Sequence, residues 1–282
     1  MRRILFAGAC AIFTFGANAA DLPVRAAAPA PVAMPVFTWT GFYVGLNAGY
    51  SWGSDRVSVL TVPGTNFFGN AALRDLAATE GTVAGSPDGS GFAGGGQIGY
   101  NYQTGALVLG VEADIQWLNR EARLAVVSST TGGGVIPAPI DTALTATSAV
   151  DWLGTLRARL GFTVTPTLLL YGTGGLAFGS AKSTFAMAQS HNGFGGLVTG
   201  ATAASYSETR VGYALGVGGE WAFARNWTAK VEYMYFDLGS ARYDGGVLLA
   251  STPAPAPRYS VQSTVRADFS GSIVRAGVNY KF

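Results

Sequence analysis

From residue 40 onward the chain alternates apolar and polar residues with a period of two, in stretches of about ten to thirteen residues. A period of two places successive side chains on opposite faces of a strand, so each stretch predicts a β-strand with one apolar face. Residues 40–50 set Phe42, Val44, Leu46, Ala48 and Tyr50 against Tyr43, Gly45, Asn47 and Gly49. Residues 92–102 set Ile98, Tyr100 and Tyr102 against Gln97, Gly99 and Asn101. The clearest stretch, 107–117, sets Leu107, Leu109, Val111, Ala113, Ile115 and Trp117 against Val108, Gly110, Glu112, Asp114 and Gln116. A fourth sets Trp152, Leu156, Leu160 and Phe162 against Asp151, Thr155, Arg157 and Arg159. A fifth, 168–178, is strand-like, but its glycine-rich middle leaves the facing open. The sixth has Val211, Tyr213, Leu215, Val217 and Trp221 opposite Arg210, Gly212, Gly216 and Glu220. In the seventh, Trp227, Ala229, Val231, Tyr233 and Tyr235 oppose Thr228, Lys230 and Glu232. The eighth ends the chain, with Val274, Ala276, Val278, Tyr280 and Phe282 against Arg275, Gly277, Asn279 and Lys281.

Strands of this length and alternation suit a bilayer, which a tilted strand crosses in about 9–11 residues. The predicted fold class is therefore all-β: an eight-stranded antiparallel transmembrane β-barrel. None of the 12 prolines lies inside a proposed strand, as a ladder that needs every N–H requires. The connections alternate in length. Those at 103–105, 163–167 and 223–226 are tight turns, whereas 51–91, 118–149, 179–209 and 239–268 read as long polar loops rich in Gly, Ser and Thr. Short periplasmic turns and long extracellular loops are the outer-membrane pattern. All six tryptophans fall near strand ends: Trp39, Trp221 and Trp227 at the expected periplasmic rim, Trp52, Trp117 and Trp152 at the outer one. Two aromatic girdles are predicted.

Composition narrows the class further. Only 12% of residues are charged, against roughly a quarter in soluble domains. A soluble β-sandwich or lipocalin-like barrel would need charges on its outer faces, and the apolar faces above carry none. Residues 1–19 read as a secretory signal peptide: Arg2 and Arg3, an apolar run, then Ala17-Asn18-Ala19 as the cleavage site. Its removal leaves sixteen residues of each sign and no net charge, which argues against nucleic-acid binding. Cys10 leaves with the signal, so the mature chain has no disulfide and no thiolate ligand. Residues 20–37 read as a Pro/Ala-rich periplasmic tether, and 38–282 as the barrel domain.

Several stretches together carry a family resemblance: 38–45 (Thr-Trp-Thr-Gly-Phe-Tyr-Val-Gly), 96–101 (Gly-Gln-Ile-Gly-Tyr-Asn), 156–161 (Leu-Arg-Ala-Arg-Leu-Gly), 171–175 and the C-terminal 274–282. On these the chain resembles the small outer-membrane β-barrel family of α-proteobacteria, the RopB-like, opacity-type surface and porin-family proteins. The resemblance implies location in the outer membrane, contact with its lipid and lipopolysaccharide, and host or environmental ligands at the extracellular loops. It also raises haem binding as one role of relatives. Arg275, Gly277, Tyr280 and Phe282 resemble the C-terminal signal read by the barrel-assembly machinery.

Catalytic and cofactor motifs are weak. Gly89-x-Gly91-x-x-Gly94 matches a dinucleotide fingerprint, but a strand follows it where a helix is required. His191, the single histidine, sits beside Ser190 in a glycine-rich stretch that is expected to be a solvated loop and a poor mount for a Ser/His pair. No enzyme activity, metal or cofactor is expected. The inward faces carry Glu112, Asp114, Glu220 and Glu232 with Arg157, Arg159, Lys230 and Arg275, four acids and four bases. Levelling Trp117 with Trp152 sets Glu112 opposite Arg157, and the turn near Arg225 brings Glu220 close to Lys230. This predicts a balanced ionic plug, since buried charges persist only when paired. The expected function is a structural and surface-interaction barrel. A narrow solute channel is the alternative, with haem capture a further one.

Overall fold

In the computed structural model the described residues are 37–67, 70–133, 136, 138–193, 196–252 and 257–282. The expected signal peptide and all of the tether but Phe37 lie outside them. The chain forms β1 (Gly41–Ser54), β2 (Val57–Asn66), α1 (Ala71–Glu80), β3 (Val83–Gly85), β4 (Asp88–Thr104), β5 (Leu107–Thr130), β6 (Ile140–Thr165), β7 (Leu168–Gly193), β8 (Gly196–Ala224), β9 (Trp227–Ser251) and β10 (Pro257–Lys281). Strands β1, β4, β5, β6, β7, β8, β9 and β10 pair in that order, and β10 pairs back onto β1, closing an antiparallel ring of eight. Short β2 and β3 extend the sheet beyond β10.

Alternation decides what each face meets. On the ring's outer wall Leu46, Val111, Leu156, Leu160 and Val217 are all more than half exposed, while Gln97, Glu112, Arg157 and Glu232 between them are buried inside. The strand whose glycines left its facing open, β7, turns Leu170, Leu176 and Phe178 outward and Leu169, Tyr171 and Thr173 inward. An apolar outer wall costs stability in water and gains it in hydrocarbon.

The four long connections are mostly strand. Strands β5 to β10 run 24 to 29 residues each. A bilayer takes about ten residues, so more than half of each rises beyond it. In that upper part the pattern inverts: Ile140, Leu144, Phe185, Met187, Val261 and Val265 point inward and are at most 2% exposed. Above the apolar belt water surrounds the wall, so the apolar face must turn in. A β-bulge between Ala149 and Leu153 makes the switch on β6. There the backbone N–H of Asp151 donates to Ser180 Oγ at 2.9 Å, and Asp151 leaves the lumen face assigned to it to pair with exposed Lys182 at 2.6 Å.

Helix α1 enters this upper core. Asn70 caps it by accepting from the Leu73 N–H, and Leu73, Ala77 and Ala78 are buried. Gln189 Nε2 on β7 donates to Ala77 O at 2.7 Å. Pro63 lies in β2, next to a register shift against β10 and past the residues that β3 covers. One seam of the upper wall is not zipped: β8 and β9 pair at Thr199–Ser251 and again from Tyr213–Asp237 down, with none between. Side chains bridge it instead. Thr202 donates to Gly245 O, Arg210 donates to Leu238 O, each at 3.1 Å, and the rings of Tyr206 and Tyr243 stack.

Candidate functional site

The interior of the lower barrel is the place where charged side chains converge. Eight come from five strands: Glu112 and Asp114 on β5, Arg157 and Arg159 on β6, Glu220 on β8, Lys230 and Glu232 on β9, Arg275 on β10. All are 7% exposed or less. Backbone register places Glu112 opposite Arg157 and Glu220 opposite Lys230. Arg157 reaches three carboxylates at once, Glu232 at 2.6 Å, Asp114 at 2.7 Å and Glu112 at 2.8 Å. Arg275 reaches Glu232 at 2.6 Å and Asp114 at 3.2 Å. The Lys230 ammonium, although opposite Glu220 in register, crosses the lumen to Glu112 at 3.1 Å, and Glu220 pairs with Arg159. A long side chain on a narrow barrel finds its partner across the axis as readily as along the wall.

Neutral groups complete the layer, and the sequence reading assigned none of them. Tyr43 OH donates to Glu112 Oε2 at 2.7 Å and Thr155 Oγ1 to Asp114 Oδ2 at 2.7 Å. Asn279 donates to Glu220 at 2.8 Å, and Thr228 donates to the same carboxylate. The Arg159 guanidinium lies 3.7 Å from the Tyr171 ring centroid. Inward glycines make the room: a Cβ at Gly99 would collide with the Tyr43 ring. Their parity on the inward face was the available signal for Tyr43 and Asn279.

Apolar groups gather in the lumen below this layer. Trp39 is 1% exposed and packs with Val108, Leu169, Tyr171, Ala222 and Phe37. It therefore does not belong to the periplasmic girdle expected of it. Its backbone N–H donates to Gln103 Oε1 at 2.8 Å, which draws the residue into the barrel mouth before β1 begins. The other tryptophans face outward: Trp221 and Trp227 near the short turns, Trp52 and Trp117 at the opposite end of the apolar belt, and half-buried Trp152 directly across from Trp117. At the C-terminus Arg275 and Gly277 share the inward face, while Tyr280 and Phe282 point outward, their ring centroids 5.2 Å apart.

A second ionic level, also unassigned from sequence, sits just past Trp52. Arg120 Nη2 meets Asp55 at 3.0 Å and its Nη1 donates to Ser270 O at 2.7 Å, while Ser148 donates to Asp55 at 2.7 Å. Gly53 and Gly271 flank the guanidinium, where any Cβ would crowd Nη1. Burial pushes the Asp55 carboxyl above its ordinary value, and Arg120 works against that rise. Above lies the apolar core of the upper wall. His191, expected in a solvated loop, is instead on β7 at 1% exposure, its Nδ1 3.1 Å from Pro139 O. Inverted patterning turned this segment into wall, and the histidine turned in with it. Gly89, Gly91 and Gly94 lie within β4.

The chain matches a family model described as the outer membrane protein beta-barrel domain over residues 8–282. It is 35% identical to the 31 kDa outer-membrane immunogenic protein of Brucella melitensis biotype 1, with all of both chains covered. It is 31% identical to a 22 kDa outer membrane protein of Rhizobium leguminosarum bv. viciae over 76% of this chain and 71% of that one. Among solved structures it is similar to the outer membrane protein OprG from Pseudomonas aeruginosa, at 12% identity and a TM-score of 0.38, covering 87% of this chain and 99% of that chain. An eight-stranded ring with an apolar outer wall, matched over nearly its whole length by that family model and by outer-membrane relatives, places this chain in the outer-membrane β-barrel family of α-proteobacteria.

Proposed function

We propose that this outer-membrane protein is a closed structural barrel that carries a rigid extracellular wall for surface contacts. The observation that supports the reading is a succession of buried groups along the lumen: an apolar cluster around Trp39, the eight-charge layer, the Asp55–Arg120 level and the upper core with α1. Four acids and four bases in mutual contact present no ring of one sign to a passing ion. The carboxylates are held by arginines and Lys230, which suits a structural role better than general acid–base work. The role of the last strand as an assembly signal, and of the outward tryptophans as girdles, belongs to the same reading. The immunogenic Brucella relatives are consistent with exposure of the upper wall at the cell surface. Liposome swelling tests it: vesicles holding the refolded protein should swell in small sugars no faster than empty vesicles. Swelling at rates typical of open pores would favour the narrow solute channel.

A further inference from the structure

Just above the eight-charge layer the inner face runs short of side chains on two neighbouring strands. Gly49, Ser51 and Gly53 are successive inward positions of β1, and Gly91, Ala93 and Gly95 are those of β4, its direct partner. Nothing longer than a serine enters the lumen from this floor, and side chains of the next strands reach over it. The Gln116 amide of β5 lies over Gly95, where a Cβ would come within 2.9 Å of its Nε2. The Arg275 side chain of β10 starts against Gly49, and the Arg120 guanidinium covers Gly53.

The polar atoms above this floor have hydrogen-bonding capacity left over. Gln116 is 0% exposed, and among the described residues neither atom of its amide has a hydrogen-bond partner. The next inward residue below it, Asp114, gathers Thr155, Arg157 and Arg275 on Oδ2 and leaves Oδ1 unpartnered. Arg275 uses Nε and Nη2 on Glu232 and Asp114 and leaves Nη1 unpartnered. Asn47 Oδ1, Ser51 Oγ and Arg120 Nε are unpartnered too. Strands β10, β1, β4 and β5 stand side by side, so these atoms line one sector of the wall. Register sets Leu153 beside Gln116, and Ile273 and Met234 in the row of Ser51; all three are fully buried and offer no hydrogen bond. A buried amide that makes none of its bonds is costly, and a buried charge with unused bonding capacity is costlier.

The mixture of groups selects the ligand. The N–H groups of Arg275, Gln116 and Arg120 donate, the Asp114 and Gln116 oxygens accept, and the Ser51 hydroxyl does both. An anion would call for donors alone and a cation for acceptors alone, whereas water needs both. We propose that this floor holds a buried cluster of about two or three water molecules, anchored by Gln116 and bridging the ionic layer toward Arg120. The inference rests on the closed-lumen reading, because closure above and below is what makes the waters long-lived.

The full chain refolded in lipid nanodiscs with ¹⁵N-glutamine tests the site, since the sequence has only five glutamines and Gln116→Met assigns the signal. The Gln116 side-chain amide should show water cross peaks of opposite sign in NOE and ROE spectra, the mark of a long-lived contact. Exposed Gln262 supplies the bulk-water reference. Absence of any water contact at Gln116 overturns the cluster and leaves closure standing. A short-lived contact like that of Gln262 overturns both, because the lumen is then open to bulk water at this level. Urea titration in vesicles gives a second readout that needs no assignment. Gln116→Met should lower the unfolding midpoint, since the waters and the charges they serve lose a partner. A raised midpoint would mean a dry, unsatisfied amide and overturns the cluster.

Discussion

Arg157 is the residue on which the ionic layer turns, since it touches Glu112, Asp114 and Glu232 together and is 1% exposed. Removing one partner of a buried ionic set leaves the others uncompensated, which costs about 3–5 kcal/mol. Arg157→Ala should therefore lower unfolding stability in lipid vesicles by about that amount, as measured by urea titration. A loss under about 1 kcal/mol, as for an exposed pair, would mean that the lumen is wet enough to screen the carboxylates. Asp55 makes the opposite kind of prediction. Burial raises its folded carboxyl above the unfolded value of about 3.9, so the folded state holds the proton more tightly. Its contribution is therefore present in full below that unfolded value and is lost as pH rises through the raised folded one. The melting-temperature difference between wild type and Asp55→Asn should shift in favour of wild type as pH falls from 7 toward 4. A difference that stays flat or moves the other way would contradict the assignment.

At the scale of elements, each long strand is two strands in series, one built for lipid and one for water. Strand β5 shows both: Leu109 lies on its outer face in the belt, and Val127, 85% exposed, lies on the outer face of the upper wall. Leu109→Arg should cost about 2–4 kcal/mol, whereas Val127→Arg should cost close to nothing. Folding yields in vesicles that rank the two equally would misplace the belt. The lower halves are legible in the sequence because hydrocarbon imposes an uninterrupted apolar outer face, as at Leu107 to Trp117. The upper halves were misread as loops because they were judged by the same outward rule. There Asp141, Thr145 and Thr147 point out and Ile140, Leu144 and Ala146 point in, a strand pattern with its phase reversed by the bulge near Asp151. Parity put the eight charges of the ionic layer on the inner face, but it put Asp151, Arg210 and Lys281 there too, and these do not join the layer. Their partners followed only in part: Glu112 meets Arg157 as the register sets it, but Lys230 faces Glu220 along the wall and bonds Glu112 across the lumen. Trp39 and His191 show the same limit, because neither residue type reveals whether the chain beside it turns in or out.

At the scale of the barrel, the proposed closure of the lumen rests on four levels of different chemistry. These are the packed Trp39 cluster, the mutually paired eight-charge layer, Arg120 spanning from β5 to Asp55 and β10, and the apolar upper core around α1. An eight-stranded barrel encloses about the volume that side chains fill, whereas open water-filled pores use 16 or more strands. Closure by four levels in series also means that opening any one of them leaves three.

Single-protein conductance in planar bilayers addresses this closure most directly. Wild type should show little or no stable current, and Glu112→Ala with Arg157→Ala should leave it low, since the other three levels remain. A large, steady wild-type current at neutral pH would contradict a filled lumen and make this barrel a channel.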